Sequence, residues 1–125
     1  MIVSVGVDAV EIERIRRLLE RSSGRFERRV YTDAEAAYCR GRAHPAESFA
    51  ARFAAKEAVM KCLGTGWASG TGFRQIEVSR RETGGPELRL QGAAAAAANA
   101  LGIRRWHVSL THTHATATAF VVAES

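Results

Sequence analysis

Glu57 and Lys61 lie four residues apart in the stretch FAARFAAKEAVMKCLGTG, so on a helix their side chains are neighbours. The plain reading of such a pair is a surface support worth about 0.3–0.5 kcal/mol. Its surroundings point to chemistry instead. Lys56 falls near the apolar stripe of Phe49, Phe53, Val59, Met60 and Leu63, where a charge is costly unless it is paired or reaches water. GTGWASGTG follows directly, and its Gly64, Gly66, Gly70 and Gly72 would let a ligand approach the backbone closely. A carboxylate, two lysines and a glycine loop suit a phosphorylated ligand with a divalent metal, provided that a second carboxylate comes from elsewhere. Asp8, at the end of the Val-rich run IVSVGVD, is the candidate. Magnesium takes one or two carboxylates together with substrate phosphates, so Asp8 and Glu57 converging on one ion would suffice.

The elements that must position these groups can be read in order. Residues 2–8 form a buried strand that ends on Asp8, although an Asp there also commonly caps the next helix. A helix follows, with Ile12, Ile15 and Leu19 inward. Arg14, Arg17, Arg21 and then Arg25 recur at helical spacing on its other side, with Leu18 exposed among them. That face is either a solvated surface or a docking surface for an acidic partner helix. Residues 25–30 read as a basic connector. Thr32 and Glu35 make a capping-box signal for a short helix through Tyr38, and residues 40–44 break it. Pro45 suits the first turn of the long helix and Gly64 its left-handed stop. Residues 75–80 and 87–90 read as strands joined through Gly84-Gly85-Pro86, and residues 92–101 as an alanine-rich helix closed by Gly102. Residues 106–111 and 116–123 form a β-hairpin. The order β-α-α-α-β-β-α-β-β predicts one α+β domain with mainly antiparallel strands. His107, His112 and His114 fit no standard zinc spacing; a histidine and hydroxyls at a hairpin turn serve as phosphate donors.

Composition sets the limits. With 125 residues the chain has room for one real core, and 46% apolar content argues against disorder. No apolar run approaches the roughly 20 residues of a membrane span. Met1 leads straight into a strand rather than a signal peptide, and Cys39 and Cys62 lack metal spacing, so a cytoplasmic protein with reduced thiols is expected. A net charge of +5 calls for an acidic partner. Nucleic acid is disfavoured, because aromatics are only 7% and no RNP-like or helix-turn-helix signature is present.

Three segments carry a specific likeness: Val5-Gly6-Val7-Asp8 with Glu11-Ile12; Arg52 to Ala58 running on to Lys61 and Gly64-Thr65-Gly66; and His107-Val108-Ser109-Leu110-Thr111-His112. In that order and spacing the chain resembles holo-[acyl-carrier-protein] synthase, the short bacterial type of 4′-phosphopantetheinyl transferase, from its first strand to its last. The resemblance implies that fold, with a long central helix, and a transfer of 4′-phosphopantetheine from coenzyme A to a serine of acyl carrier protein. It implies that Asp8 and Glu57 bind magnesium and that Lys61 contacts phosphate. Arg52, Gly64, His112 and Thr113 would line the coenzyme A pocket, while Arg14, Leu18, Arg21 and Arg25 would dock the carrier protein. It further implies a homotrimer with each active site shared between neighbouring subunits. The proton of the attacking serine would go to Glu57 or to a metal-held water. Two departures stand out: SLTH replaces the common SLSH, which keeps the hydroxyl, and His114 stands where many relatives have acidic or glycine residues.

Overall fold

The computed structural model describes residues 1–64 and 72–125. Gly66 and Gly70 of the expected glycine loop lie outside the described residues. The elements are β1 (Ile2–Glu11), α1 (Ile12–Arg21), α2 (Arg25–Val30), α3 (Asp33–Arg40), α4 (Pro45–Leu63), β2 (Ile76–Arg80), β3 (Pro86–Leu90), α5 (Gly92–Ala100), β4 (Arg105–His112) and β5 (Thr116–Glu124), with a 3-10 turn at Phe73–Gln75. Two antiparallel sheets result: three strands in the order β1-β5-β4, and the pair β2-β3. The α+β expectation holds, with one helix more before β2 than the sequence reading assigned.

That extra helix is α2. Ser23 and Gly24 take positive φ values of 54° and 83° and end the first helical run. Phe26 and Val30 then sit four apart and turn inward together; Val30 is buried and Phe26 stacks on Phe53 at 6.0 Å. The rings continue through Tyr31 on Phe49 at 4.8 Å and Phe53 on Phe73 at 5.3 Å. The residues taken as a connector are therefore part of the core.

The long helix α4 forms as expected, with Pro45 in its first turn and Gly64 at φ 70° donating its N–H to the Met60 carbonyl. A single apolar stripe understates its burial. Thirteen of its side chains are buried, including five alanines together with Arg52 and Lys56. A helix covered nearly all round is a core helix, and this one lies between the three-stranded sheet and the smaller elements. Beneath it β5 presents Ala117, Ala119, Val121 and Ala123, all fully buried. Small residues on both surfaces let the helix and the sheet come close.

The closest approach is at Gly6. A Cβ on Gly6 would lie 2.2 Å from the Ala58 carbonyl oxygen and 3.0 Å from Cys62 Sγ, so the seam between β1 and α4 admits no side chain there. Ser4 Oγ donates to the Cys62 carbonyl at 3.0 Å further along the same seam. Strand and helix thus run antiparallel, and the inner face of β1 carries Ser4, Gly6, Asp8 and Val10.

Two expectations for β1 are corrected. The strand does not end on Asp8; pairing with β5 continues through Asp8↔Ala119 to Glu11↔Thr116, and α1 starts only at Ile12, whose N–H donates to the Ala115 carbonyl. Asp8 caps nothing. Nor is the strand buried on both faces: Val3, Val5, Val7 and, from β5, Phe120 form an exposed apolar outer surface, with Val5 at 55% and Phe120 at 47%.

Candidate active site

Asp8 and Glu57 come together across the β1–α4 seam, one strand step beyond Gly6 and one helix position before Ala58. The coupling is visible in their electrostatics: burial, and next the like charge of Asp8, push the Glu57 carboxyl above its ordinary range, while Lys61 and Arg14 oppose the rise. Lys61 Nζ donates to the Val7 carbonyl at 2.8 Å and to Asp8 Oδ1 at 3.2 Å. The like charges of Asp8 and Glu57 repel each other, and a divalent cation between them would relieve the repulsion. Among the described residues no group of three or more His, Cys, Asp or Glu side chains could hold a metal ion by itself. Magnesium does not need one, because substrate phosphates and water complete its shell, so this pair fits it.

Lys56 is not part of this constellation. It is fully buried and pairs with Glu35 Oε1 at 2.7 Å, donating also to the carbonyls of Phe73 at 3.0 Å and Ile76 at 2.6 Å. Burial lowers its pKa, and Glu35 is the main opposing influence. Glu35 Oε2 accepts the Val78 N–H at 2.7 Å, and Oε1 accepts the Thr32 N–H in the predicted capping box. One buried ion pair thus ties α3, α4 and β2 together.

A second polar region lies at the opposite edge of the three-stranded sheet. A cavity of about 390 Å³ is lined by Tyr38 and Arg42, by Ser48 and Arg52 of α4, by Arg80 of β2 and by His112 of β4, with His44 and Glu47 among the remaining lining residues. Arg52 is only 6% exposed; its Nη1 donates to Ser48 Oγ at 3.0 Å, and its buried Nε has no partner. A buried guanidinium with an orphan donor, beside two further arginines and a single carboxylate, is built for an anion. Of the residues assigned to a nucleotide pocket, Arg52 and His112 line this cavity. Thr113 and Gly64 do not: Thr113 Oγ1 accepts the N–H groups of Ala115 and Thr116 and shapes the hairpin turn, while Gly64 caps α4. Sequence reasoning missed Tyr38, Arg42, His44, Ser48 and Arg80, which arrive from separate elements with no shared motif.

The histidines separate. His112 faces the cavity, whereas His107 Nε2 pairs with Glu124 Oε1 at 3.0 Å.

A groove of about 380 Å³ runs along α1, lined by Glu11, Glu13, Arg14, Arg17, Leu18, Arg21 and Ser22. Leu18, expected to be exposed, is half-buried against the core and forms the apolar part of the groove. Arg25 opens α2 beyond the Ser23–Gly24 turn and is not among the lining residues. Arg14 belongs to the groove and also acts on Glu57, so it links the two.

Comparison with known proteins shows the family and the fold. Residues 4–120 match the model of the 4′-phosphopantetheinyl transferase superfamily, and the chain belongs to that superfamily. Relatives that match it over the full length include holo-[acyl-carrier-protein] synthases. That of Solibacter usitatus is 46% identical over 125 residues and covers 100% of both chains. The crystal structure of the Neisseria meningitidis holo-[acyl-carrier-protein] synthase matches with a TM-score of 0.90 at 35% identity over 100% of both chains. The Bacillus anthracis protein, solved in complex with CoA (3′,5′-ADP), matches with a TM-score of 0.82 at 34% identity over 100% of this chain and 98% of that one.

Proposed function

We propose that this chain transfers 4′-phosphopantetheine from coenzyme A to a serine of apo acyl carrier protein, in fatty acid or polyketide biosynthesis. The observation that carries the reading is the Asp8–Glu57 carboxylate pair with Lys61 beside it. The serine oxygen bonds to the phosphorus that bears pantetheine, the bridging P–O bond of the pyrophosphate breaks, and adenosine 3′,5′-bisphosphate leaves. Asp8 and Glu57 are the residues that would hold magnesium, which when bound supplies charge neutralisation at the phosphates. Lys61 adds a fixed positive charge where the leaving group becomes more negative. Glu57 or a water held by the metal would accept the serine proton. Coenzyme A carries a further phosphate on its ribose, and the arginine cavity suits that group. Incubation with coenzyme A, magnesium and an apo carrier protein, followed by intact mass, tests the reaction. A carrier that gains no pantetheine mass would sink the proposal.

The carboxylate pair and the arginine cavity sit at opposite edges of one sheet, with β5 between them. This separation supports a homotrimer in which the carboxylates of one subunit face the cavity of the next, and the exposed Val5–Val7–Phe120 surface supplies apolar area for the contact. Neither Glu57→Ala nor Arg52→Ala alone should be active, yet mixing the two should restore measurable turnover in mixed trimers. Sedimentation as an active monomer, or a mixture as inert as its parts, would contradict shared sites.

The α1 groove combines Leu18 with cationic rims and suits an acidic helix of the carrier. Exposed charges steer and orient a partner more than they add affinity, and salt screens them over about 8–10 Å. Charge reversal at Arg21 should therefore raise KM for the carrier while leaving the coenzyme A dependence unchanged, and added salt should imitate it in the unaltered protein. Arg14 is not a clean probe of docking, because its reversal would also raise the pKa of Glu57. Unchanged kinetics for Arg21→Glu would return this face to plain solvated surface. No helix of the described residues is long and apolar enough to cross a membrane. Cys39 and Cys62 are free and buried, which fits the cytoplasmic setting we assign.

A further inference from the structure

Tyr38 occupies an unusual place for a residue that no step of the transfer uses. Three guanidiniums gather on its ring: Arg52 Cζ lies 4.3 Å from the centroid, Arg42 Cζ 5.4 Å and Arg80 Cζ 5.7 Å. Arg80 Nη1 also donates to the Tyr38 hydroxyl at 2.6 Å, and its Nε and Nη2 donate to the Gly84 carbonyl at 2.9 and 2.6 Å. Like charges this close repel one another and would turn to solvent if nothing held them. An aromatic face attracts cations, at about 0.5–2 kcal/mol per contact depending on exposure. The hydroxyl gives Arg80 a second hold. Each arginine comes from a different stretch: Arg42 from the α3–α4 connection, Arg52 from α4 and Arg80 from the end of β2. Among the described residues, Tyr38 is the aromatic ring on which all three gather. The tyrosine responds in turn: burial raises its pKa, but the hydrogen bond from Arg80 and the three positive charges outweigh this and leave it below the ordinary value.

We propose that Tyr38 is the positioning residue that sets specificity for the ribose phosphate, by holding Arg42, Arg52 and Arg80 as one preformed fork at the cavity wall. This rests on the coenzyme A reading above. Without the ring the three cations still exist, but they are no longer aimed together, so the loss falls on the part of the ligand that carries the phosphate. The rest of the nucleotide is little affected.

The experiment measures binding of coenzyme A and of 3′-dephospho-coenzyme A by calorimetry, without carrier protein, on the unaltered protein, Tyr38→Phe and Tyr38→Leu. The unaltered protein should bind coenzyme A much more tightly than the dephospho form. Tyr38→Leu should weaken coenzyme A by about 10-fold or more, as loss of several cation–π contacts requires, and change the dephospho form by less than about 3-fold. Tyr38→Phe keeps the ring and loses only the Arg80 bond, so it should fall clearly between the two, with part of the discrimination lost and part kept. In the transfer assay KM for coenzyme A should rise more than kcat falls. Retained discrimination in both variants, or equal weakening of both ligands, would overturn the role of Tyr38. Should Tyr38→Leu fail to fold, the Tyr38→Phe comparison decides alone: an unchanged ratio overturns the proposal and a reduced one upholds it. If the unaltered protein bound neither ligand, the coenzyme A reading itself would fall, which is a different result.

Discussion

Alanine at either Asp8 or Glu57 is expected to leave a folded chain whose turnover falls by about 100-fold or more, because each replacement would remove half of the anionic seat we assign to magnesium, an ion that would supply several kcal/mol of charge stabilisation. Turnover measured against magnesium concentration, together with direct titration of the metal alone, checks this. Near-normal turnover at low magnesium in either variant would remove both residues from the site. The electrostatics add a pH signature. With the Glu57 carboxyl raised by burial and by Asp8, protons compete with the cation at a higher pH than for an ordinary glutamate. Activity should therefore decline as pH falls through that raised value. Asp8→Asn removes the like charge, so whatever activity remains should keep its acid limb at lower pH.

The other large effect concerns stability. Lys56→Met leaves Glu35 buried with its charge unmatched and removes the ammonium that donates to the carbonyls of Phe73 and Ile76. Breaking a buried pair on one side typically costs about 3–5 kcal/mol. For a chain of this length that corresponds to a Tm lower by about 10 °C or more. The double variant Lys56→Met with Glu35→Gln should recover part of the loss, since no bare charge remains inside. Thermal melts of the single and double variants provide the comparison. A melt for Lys56→Met within a degree or two of the unaltered chain would mean that the pair has no structural weight.

What could be read from the chain followed from how local the signal was. Glu57 and Lys61 lie on one helix at a fixed offset, and Asp8 sits in a short strand motif, so their convergence was legible. The same locality misled elsewhere. Lys56 was seen as a costly charge beside a stripe, but its partner Glu35 is 21 residues away and was legible only as half of a capping box. The helix Arg25–Val30 was hidden because four charged residues in six mask the Phe26/Val30 pair. The arginine cavity depends on the crossing of α3, α4, β2 and β4, which no periodicity encodes. The extension of β1 past Asp8 is imposed by β5, whose register continues to Thr116.

Gly6 has a bearing on which cations this site could be taught to accept. The strand that carries Asp8 lies main chain against main chain on the helix that carries Glu57, with the Ala58 carbonyl oxygen only 2.2 Å from where a methyl group on Gly6 would go. A laboratory lineage selected to use a larger ion would find nothing at that seam to trim, and nothing it could enlarge without prising strand from helix. Only the reach of the carboxylates is adjustable, in whole methylene steps such as Asp8→Glu. Magnesium tolerates little deviation from bonds of about 2.0–2.1 Å, whereas calcium accepts longer and more variable ones. For the magnesium we assign to this pair, the gauge would thus be written into backbone geometry, and its inheritance would depend on Gly6, a residue with no side chain to offer metal or substrate.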